Sequence, residues 1–340
     1  RARYGSIQSA FTRLGGLIQR QPAAIVLLVP DSIFKLAQGQ FSQQQLELLT
    51  DDPAAAPNRP RPFPMVAIAR LEQGSPFLPP DWPANDRSRV LTGSRFQAQL
   101  SERVDTVSTY NIVAKVSGSD PARRGTYVAF GAHYDHVGVL PPTPERKDTV
   151  FNGADDDGSG SVGLLAVARA WAQNPKPPRS ALFVWHIGEE LGLFGSAWFT
   201  AHPTVPIDSI VAQINADMIG RNHPDSLYVV GPGAAPNAQS KVLGEVLDSV
   251  NARQAKPFIF NREWDTTEHP ERIYYRSDHF NYASKGIPIV FLTTGLHAQY
   301  HQATDEPQLI DYGKLARVAT LMHELGKTLA ERDTRPKFIP

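Results

Sequence analysis

From Tyr127 onward, apolar runs of strand length alternate with stretches of helical periodicity, and few architectures accommodate that alternation. Residues 127–132, 181–187, 210–215 and 287–292 read as buried strands, and residues 161–173, 194–201, 238–252 and 312–331 as helices. The pattern predicts an α/β fold: a mixed, mostly parallel sheet sandwiched by helices. One more strand is expected just upstream, where Tyr110, Ile112, Ala114 and Val116 share one face and Asn111 and Lys115 the other. A turn over 117–124 should make it a neighbour of 127–132. No internal repeat is present.

The first hundred residues have another character. Apolar strands at 23–29 and 65–69 are separated by a Gln-rich stretch (38–45) and a Pro-rich one (51–64), and a second Pro-rich passage covers 76–83. They predict a small α+β module with long loops, closed by a hinge near residues 80–87. The expected domains are therefore 1–103 and 104–340.

Composition narrows the function. Thirty-four basic residues balance thirty-four acidic ones, so no cationic excess exists to neutralise a nucleic-acid backbone. The 41% of hydrophobic and 20% of charged residues are globular proportions, and no apolar run approaches the roughly 18 residues of a membrane span. With no cysteine, the chain has no disulfides, thiolate metal sites or cysteine nucleophiles, so any metal must bind His, Asp or Glu. Absence of cysteine suits oxidising and reducing compartments alike, and the opening residues do not form an export signal, which is either lacking or removed. A secreted or periplasmic location is the expectation.

In open α/β sheets ligands bind beyond the carboxyl ends of the strands. Here those ends carry His133-Tyr134-Asp135-His136, Gly188-Glu189-Glu190, Asp217, and a loop with His297 and His301, while Asp155-Asp156-Asp157 lies between the first two. Any one of these alone reads as solvated acidic loop or hydrogen-bonded loop histidine. Together in one cleft, the carboxylates would repel one another and take up protons unless a divalent cation, or two, lay among them. Mixed His and carboxylate donors without Cys suit zinc, with manganese or cobalt as substitutes. The segment Gly158-Ser159-Gly160-Ser161-Val162-Gly163 matches GxGxxG, but it follows a loop instead of a strand and three aspartates precede it. Close packing of the following helix explains the glycines better than a nucleotide.

Six ordered motifs carry a resemblance: Gly131-Ala132-His133-Tyr134-Asp135, Asn152 through Gly160, Gly188 through Ser196, Asn215-Ala216-Asp217-Met218, Arg276-Ser277-Asp278-His279, and Tyr300-His301-Gln302-Ala303-Thr304-Asp305. Over residues 104–332 the chain resembles the di-zinc aminopeptidases, a family that also includes glutamate carboxypeptidases, glutaminyl cyclases and the catalytically silent transferrin receptor. The resemblance implies a zinc-exopeptidase type of fold, two zinc ions as cofactors, and peptides with a free N-terminus as substrates. It implies Asp155 as the carboxylate bridging both ions, Glu190 and His301 completing one site and His133 and Asp217 the other. Glu189 would be the general base and Asp135 the carboxylate that orients His133. An oxyanion donor would be Tyr300 or Tyr274, with Tyr300 favoured by its neighbour His301. A non-proline cis peptide would follow the bridging aspartate, at Asp155-Asp156.

The first hundred residues are similar to a protease-associated domain, a module that relatives insert after an opening catalytic segment; this chain opens inside it. A carboxypeptidase relative would need Arg221 or Arg276 to hold a substrate carboxylate, a single-zinc cyclase would lack one ligand set, and a receptor-like relative would have lost ligands. Phe194, Ile219, Phe280 and Leu296 are the candidates for the walls of the substrate pocket.

Overall fold

The computed structural model describes residues 24–29, 31, 34, 65–70, 106–144, 146–233 and 241–336. The chain divides into two compact units, Arg1–Asp105 and Thr106–Pro340. In the first, strands β1 (Ala24–Val29) and β2 (Met65–Arg70) pair in parallel, Ala24 opposite Met65. The Gln-rich and Pro-rich segments and the hinge near 80–87 lie outside the described residues.

The second unit contains β3 (Ile112–Val116), β4 (Tyr127–His133), β5 (Gly138–Val139), β6 (Val150–Phe151), β7 (Ser180–His186), β8 (Ile210–Ala216), β9 (Ser226–Val230), β10 (Ile259–Asn261) and β11 (Ile289–Thr293). Its helices are α1 (Gly160–Gln173), α2 (Phe194–Ala201), α3 (Lys241–Ala252), α4 (His279–Ala283) and α5 (Tyr312–Glu331). Seven strands form one sheet in the order β10-β9-β11-β8-β4-β7-β3. The pairs β10–β9, β11–β8, β8–β4 and β4–β7 are parallel, whereas β11–β9 and β7–β3 are antiparallel. The mixed, mostly parallel sheet expected of the sequence is present. Among the described residues no helix is long and apolar enough to cross a membrane.

Strand β4 lies at the middle of the sheet, and every one of its seven residues is buried. A continuous apolar run is what a strand needs when helices cover both faces. On one face α1, α3 and α5 close a core around Phe130, Trp171 and Phe183; on the other, α2 and α4 pack over Leu182, Val184 and Phe291. Phe130 stacks on Phe183 at 5.1 Å and meets Trp171 edge-on at 5.4 Å, geometries that aromatic quadrupoles favour. In α1 the buried residues Gly160, Gly163, Leu164, Val167 and Trp171 recur at three and four positions, forming one apolar stripe. Helix α5 starts at Asp311, whose carboxylate accepts the Lys314 amide at 2.9 Å.

Two expectations fail at the sheet edge. Strand β3 pairs with β7, not β4, because β7 returns between them. The face of β3 read as inward is largely outward: Ile112 is 53% exposed and Tyr110, just before the strand, 75%. The partly buried Val113 packs against the core from the other face. Alternation shows that one face is buried but does not say which when both faces carry apolar residues.

Candidate metal centre

Strands β4, β7 and β8 are parallel neighbours, so their carboxyl ends deliver His133, the Gly188-Glu189-Glu190 loop and Asp217 to one edge of the sheet. Strand β11 runs parallel to β8 and sends the 294–305 loop, with His301, to the same edge. The turn between β6 and α1 brings the aspartates, because Asp156 (φ −102°, ψ 94°) and Asp157 (φ −119°, ψ 41°) leave helical backbone and their side chains fan apart.

The middle aspartate faces the cleft. Asp156 Oδ1 lies 3.2 Å from His133 Nε2, and its Oδ2 lies 3.1 Å from His301 Nε2. Asp217 Oδ2 is 3.7 Å from His133 Nε2, and Glu190 Oε2 is 2.9 Å from His301 Nε2. Two donor groups result, His133–Asp156–Asp217 and His136–Asp156–Glu190, with His301 beside the second; Asp156 is common to both.

Asp155, read from the sequence as the bridging carboxylate, belongs to neither group. Its Oδ1 accepts the Gly220 amide at 2.7 Å and its Oδ2 faces His297 Nε2 at 3.3 Å, behind the cleft. Asp157 is satisfied by backbone alone, accepting from the amides of His133 (3.0 Å), Met218 (3.1 Å) and Gly160 (2.9 Å). The last of these places a carboxylate at the start of α1, where a phosphate would otherwise bind, so the GxGxxG match has no free anion site. The cis peptide is likewise one residue later than expected, at Asp156-Asp157. Three consecutive aspartates are indistinguishable by composition; only the backbone path assigns the cleft to the second.

Behind these groups, His133 Nδ1 pairs with the Asp135 carbonyl at 3.0 Å. The Asp135 carboxylate stands 3.8 Å from that nitrogen and accepts the amides of Glu189 (3.2 Å) and Glu190 (3.3 Å). Asp135 thus fixes the imidazole through its carbonyl and the glutamate loop through its side chain. Asp305 Oδ2 accepts from both Asp155 (2.9 Å) and Asp156 (3.1 Å) amides, and Ser277 donates to Asp217 at 2.7 Å.

A cation fits this donor set. His133 Nε2, His136 Nδ1, Asp156 Oδ2 and Glu190 Oε1 are buried, and none is aligned for a hydrogen bond with any described residue. Ligand bonds of about 2.0–2.2 Å in a tetrahedron place donors about 3.3–3.6 Å apart, close to the separations found. The electrostatics agree. Burial works against protonation of His133, yet Asp217 and Asp156 outweigh it and hold its pKa well above the ordinary value. Burial likewise opposes a charged His301, but Asp156 and Glu190 push its pKa up to about 9. Both shifts show that the cleft's carboxylates favour a positive charge at His133 and His301.

Glu189 approaches His133 Nε2 to 3.9 Å without joining either donor group. Burial, and after it Asp217 among the neighbouring carboxylates, raises its pKa well above the usual carboxylate range against the pull of His133. Beside it opens a pocket lined by Met218, Trp264, Ile273, Phe291, Leu296 and Tyr300, with Arg276 also on its wall. Of the wall candidates read from sequence, Leu296 lines it. Phe280 packs against the core, Ile219 is fully buried under α1, and Phe194, at the start of α2, packs over Gly188. Tyr300 lies on the wall, stacked on His301 at 3.9 Å, and its hydroxyl accepts from Arg276 at 3.1 Å. Tyr274 is buried in the core among Tyr275, His279 and Phe280. Arg221 is engaged with Gln299 at 2.6 Å and Asp305 at 3.5 Å.

The chain is 25% identical over 259 residues to leucine aminopeptidase 2 of Trichophyton rubrum, covering 68% of this chain and 47% of that one. It is 31% identical over 200 residues to a probable leucine aminopeptidase 2 of Aspergillus oryzae, covering 58% and 36%. It thus spans about half or less of these relatives' lengths. Among solved structures it is similar to an aminopeptidase from Aneurinibacillus sp. strain AM-1, with a TM-score of 0.51, 21% identity and coverage of 68% of this chain and 50% of that one. A glutaminyl cyclase of Porphyromonas gingivalis matches with a TM-score of 0.50 at 22% identity, covering 63% and 76%. At such identities these likenesses bear on the fold alone. The profile of Peptidase family M28 matches residues 111–326, which contain both donor groups, and the chain belongs to that family.

Proposed function

We propose that the protein is a metal-dependent aminopeptidase that removes N-terminal residues from peptides. The observation that carries this reading is the pair of His and carboxylate groups sharing Asp156, with Glu189 beside them and a pocket alongside whose wall includes Trp264, Ile273, Phe291 and Leu296. His133, Asp156 and Asp217 would hold one zinc ion, and Asp156, Glu190 and His301 the other. Two such cations supply a Lewis acid for the scissile carbonyl and lower the pKa of a water held near both.

The remaining work falls to side chains. Glu189 takes a proton from the attacking water and passes it to the leaving amine, a role suited to a carboxyl whose pKa is raised by burial and by Asp217. Tyr300 donates to the oxygen on which charge develops. Burial and Asp156 push its pKa up to about 12, so its proton stays in place. Arg276, by donating to the phenolic oxygen, leaves that proton free for the substrate. The carboxylates Glu189 and Asp217 offer a negative field for a free ammonium. Trp264, Ile273, Phe291 and Leu296 suit an apolar first side chain, consistent with the leucine aminopeptidase names of the relatives. In this reading the first unit serves as a protease-associated-like module.

Release from leucyl, phenylalanyl, glutamyl and N-acetyl-leucyl chromogenic substrates tests it. Leucyl and phenylalanyl compounds should be cleaved and the acetylated one should not. Arg276 on the pocket wall supports a second reading, a carboxypeptidase, and cleavage only beside a free C-terminal carboxylate would select it.

A further inference from the structure

We propose that His136 is a metal ligand in its own right, so that the second cation position carries two imidazoles where the first carries one. The inference rests on the two-cation reading above and concerns a residue outside the ligand set that the resemblance implies.

His136 lies three residues beyond His133, in the loop that leaves β4. Its side chain is only 8% exposed, and Nδ1 lies 2.7 Å from Glu190 Oε1 and 3.8 Å from Asp156 Oδ2. The short distance invites reading the contact as a hydrogen bond, with His136 merely steadying Glu190. Three groups nevertheless converge: His136, Asp156 and Glu190 each offer one ligand atom, all within 4.8 Å of one another, and among the described residues neither His136 ring nitrogen has a well-formed hydrogen bond. A buried nitrogen and two carboxylates gathered this closely are arranged as donors to a third body. The His301 ring meets His136 edge-to-face at 5.7 Å, and its Nε2 points to the same two carboxylates.

The surroundings hold the ring there. Gly153 adopts φ 60°, a left-handed conformation that suits glycine, and a Cβ at this position would lie 2.5 Å from His136 Cγ. Just beyond, β5 and β6 pair, Gly138 opposite Phe151, tying the chain after His136 to the chain before Gly153. A backbone built to admit a buried imidazole with no well-formed hydrogen bond to any described residue is best explained by a ligand that meets the ring.

The two positions therefore differ in kind. The first offers one nitrogen, His133 Nε2, with Asp217 and Asp156. The second offers two, His136 Nδ1 and His301 Nε2, with Glu190 and Asp156. Imidazole suits zinc, copper and nickel, whereas carboxylate-rich sites accept magnesium and manganese. Zinc should fill the second position first, leaving the first position the more exchangeable.

The test is X-ray absorption on the metal-free chain loaded with one equivalent of zinc, together with zinc titration. The unmodified protein should show two imidazoles per zinc. His136→Ala should show one and bind its first equivalent about 10- to 100-fold more weakly, the range for perturbed metal sites. One imidazole in the unmodified protein, or unchanged affinity in the variant, overturns the inference while leaving the two-cation reading intact. Failure to bind zinc at all overturns both. The measurement on the unmodified chain stands if the variant does not fold.

Discussion

Asp155, Asp157 and Asp305 differ from Asp156 and Glu190, a few ångströms away, in how a buried negative charge is met. In the first set, backbone amides approach the carboxylates: Gly220 for Asp155; His133, Met218 and Gly160 for Asp157; the aspartate loop itself for Asp305. In the second, imidazoles crowd the carboxylates: His133 and His301 stand beside Asp156, and His136 and His301 beside Glu190. Asp155 shares in both patterns, since its second oxygen faces His297 at 3.3 Å, but only Asp156 and Glu190 are each met by two imidazoles. A buried carboxylate is stable by either route, and what distinguishes a structural acid from a ligand is which route the backbone leaves open.

The sharpest way to break this comparison is at Asp156. Asp156→Asn should lower occupancy of both cations at once and take turnover to near background, because one side chain serves both groups. Asp155→Asn should keep both metals. Metal content after dialysis, measured beside turnover, separates them; equal metal loss in the two variants would mean that the bridge is not where the geometry puts it.

Next in size is Glu189. Glu189→Gln should retain both metals and lose about 10²- to 10⁴-fold in turnover, as for a missing general base. Glu190→Gln should instead reduce metal occupancy. Unchanged turnover in the first variant removes Glu189 from the chemistry.

Tyr300→Phe should cost about 10²- to 10³-fold in kcat with metal content intact, the effect of losing one oxyanion donor. Tyr274→Phe should leave kcat alone, since Tyr274 is buried in the core and does not line the pocket. The reverse outcome would exchange their roles.

Acidity gives a smaller, graded effect. In the metal-free protein the His301 pKa, opposed by burial but raised by Asp156 and Glu190, is about 9. A cation needs the unprotonated ring, so below that value each binding event must expel a proton. Apparent affinity should fall about tenfold for each pH unit below 9 and level above it, within the linkage of one proton. Competition titrations at three pH values measure it; a flat response would exclude His301 from the ligand set.

The smallest effect should come from the satisfied set. Asp157→Asn places an amide nitrogen where one oxygen meets a backbone N–H, costing about 1–3 kcal/mol of stability for the donor left unpaired. Thermal unfolding of the metal-free variant reads this cost. A shift seen only in the metal-loaded protein would make Asp157 part of the metal site.

Much of this was legible in the chain itself. The apolar runs ending at His133, His186 and Ala216, with helices between them, predict a sheet whose carboxyl ends hold the chemistry, because a strand buried on both faces must be apolar throughout. Helices α2 and α5 have the bounds expected from periodicity. The short strands β9 and β10 and the one-turn helix α4 escaped notice, being too brief to display a period.

Residue types and their order along the chain were enough to raise the expectation of a cation, because carboxylates brought together at successive strand ends repel one another unless protons or a cation lie among them. Which aspartate faces the cleft, which tyrosine lines the pocket, and that His136 lies beside Glu190 were decided only by the tertiary structure. Each depends on where a side chain points when the backbone leaves regular geometry, as at Asp156, and on which strand comes between two others, as β7 does. Neighbours in sequence share composition but not direction, and direction is fixed by contacts with parts of the chain far away.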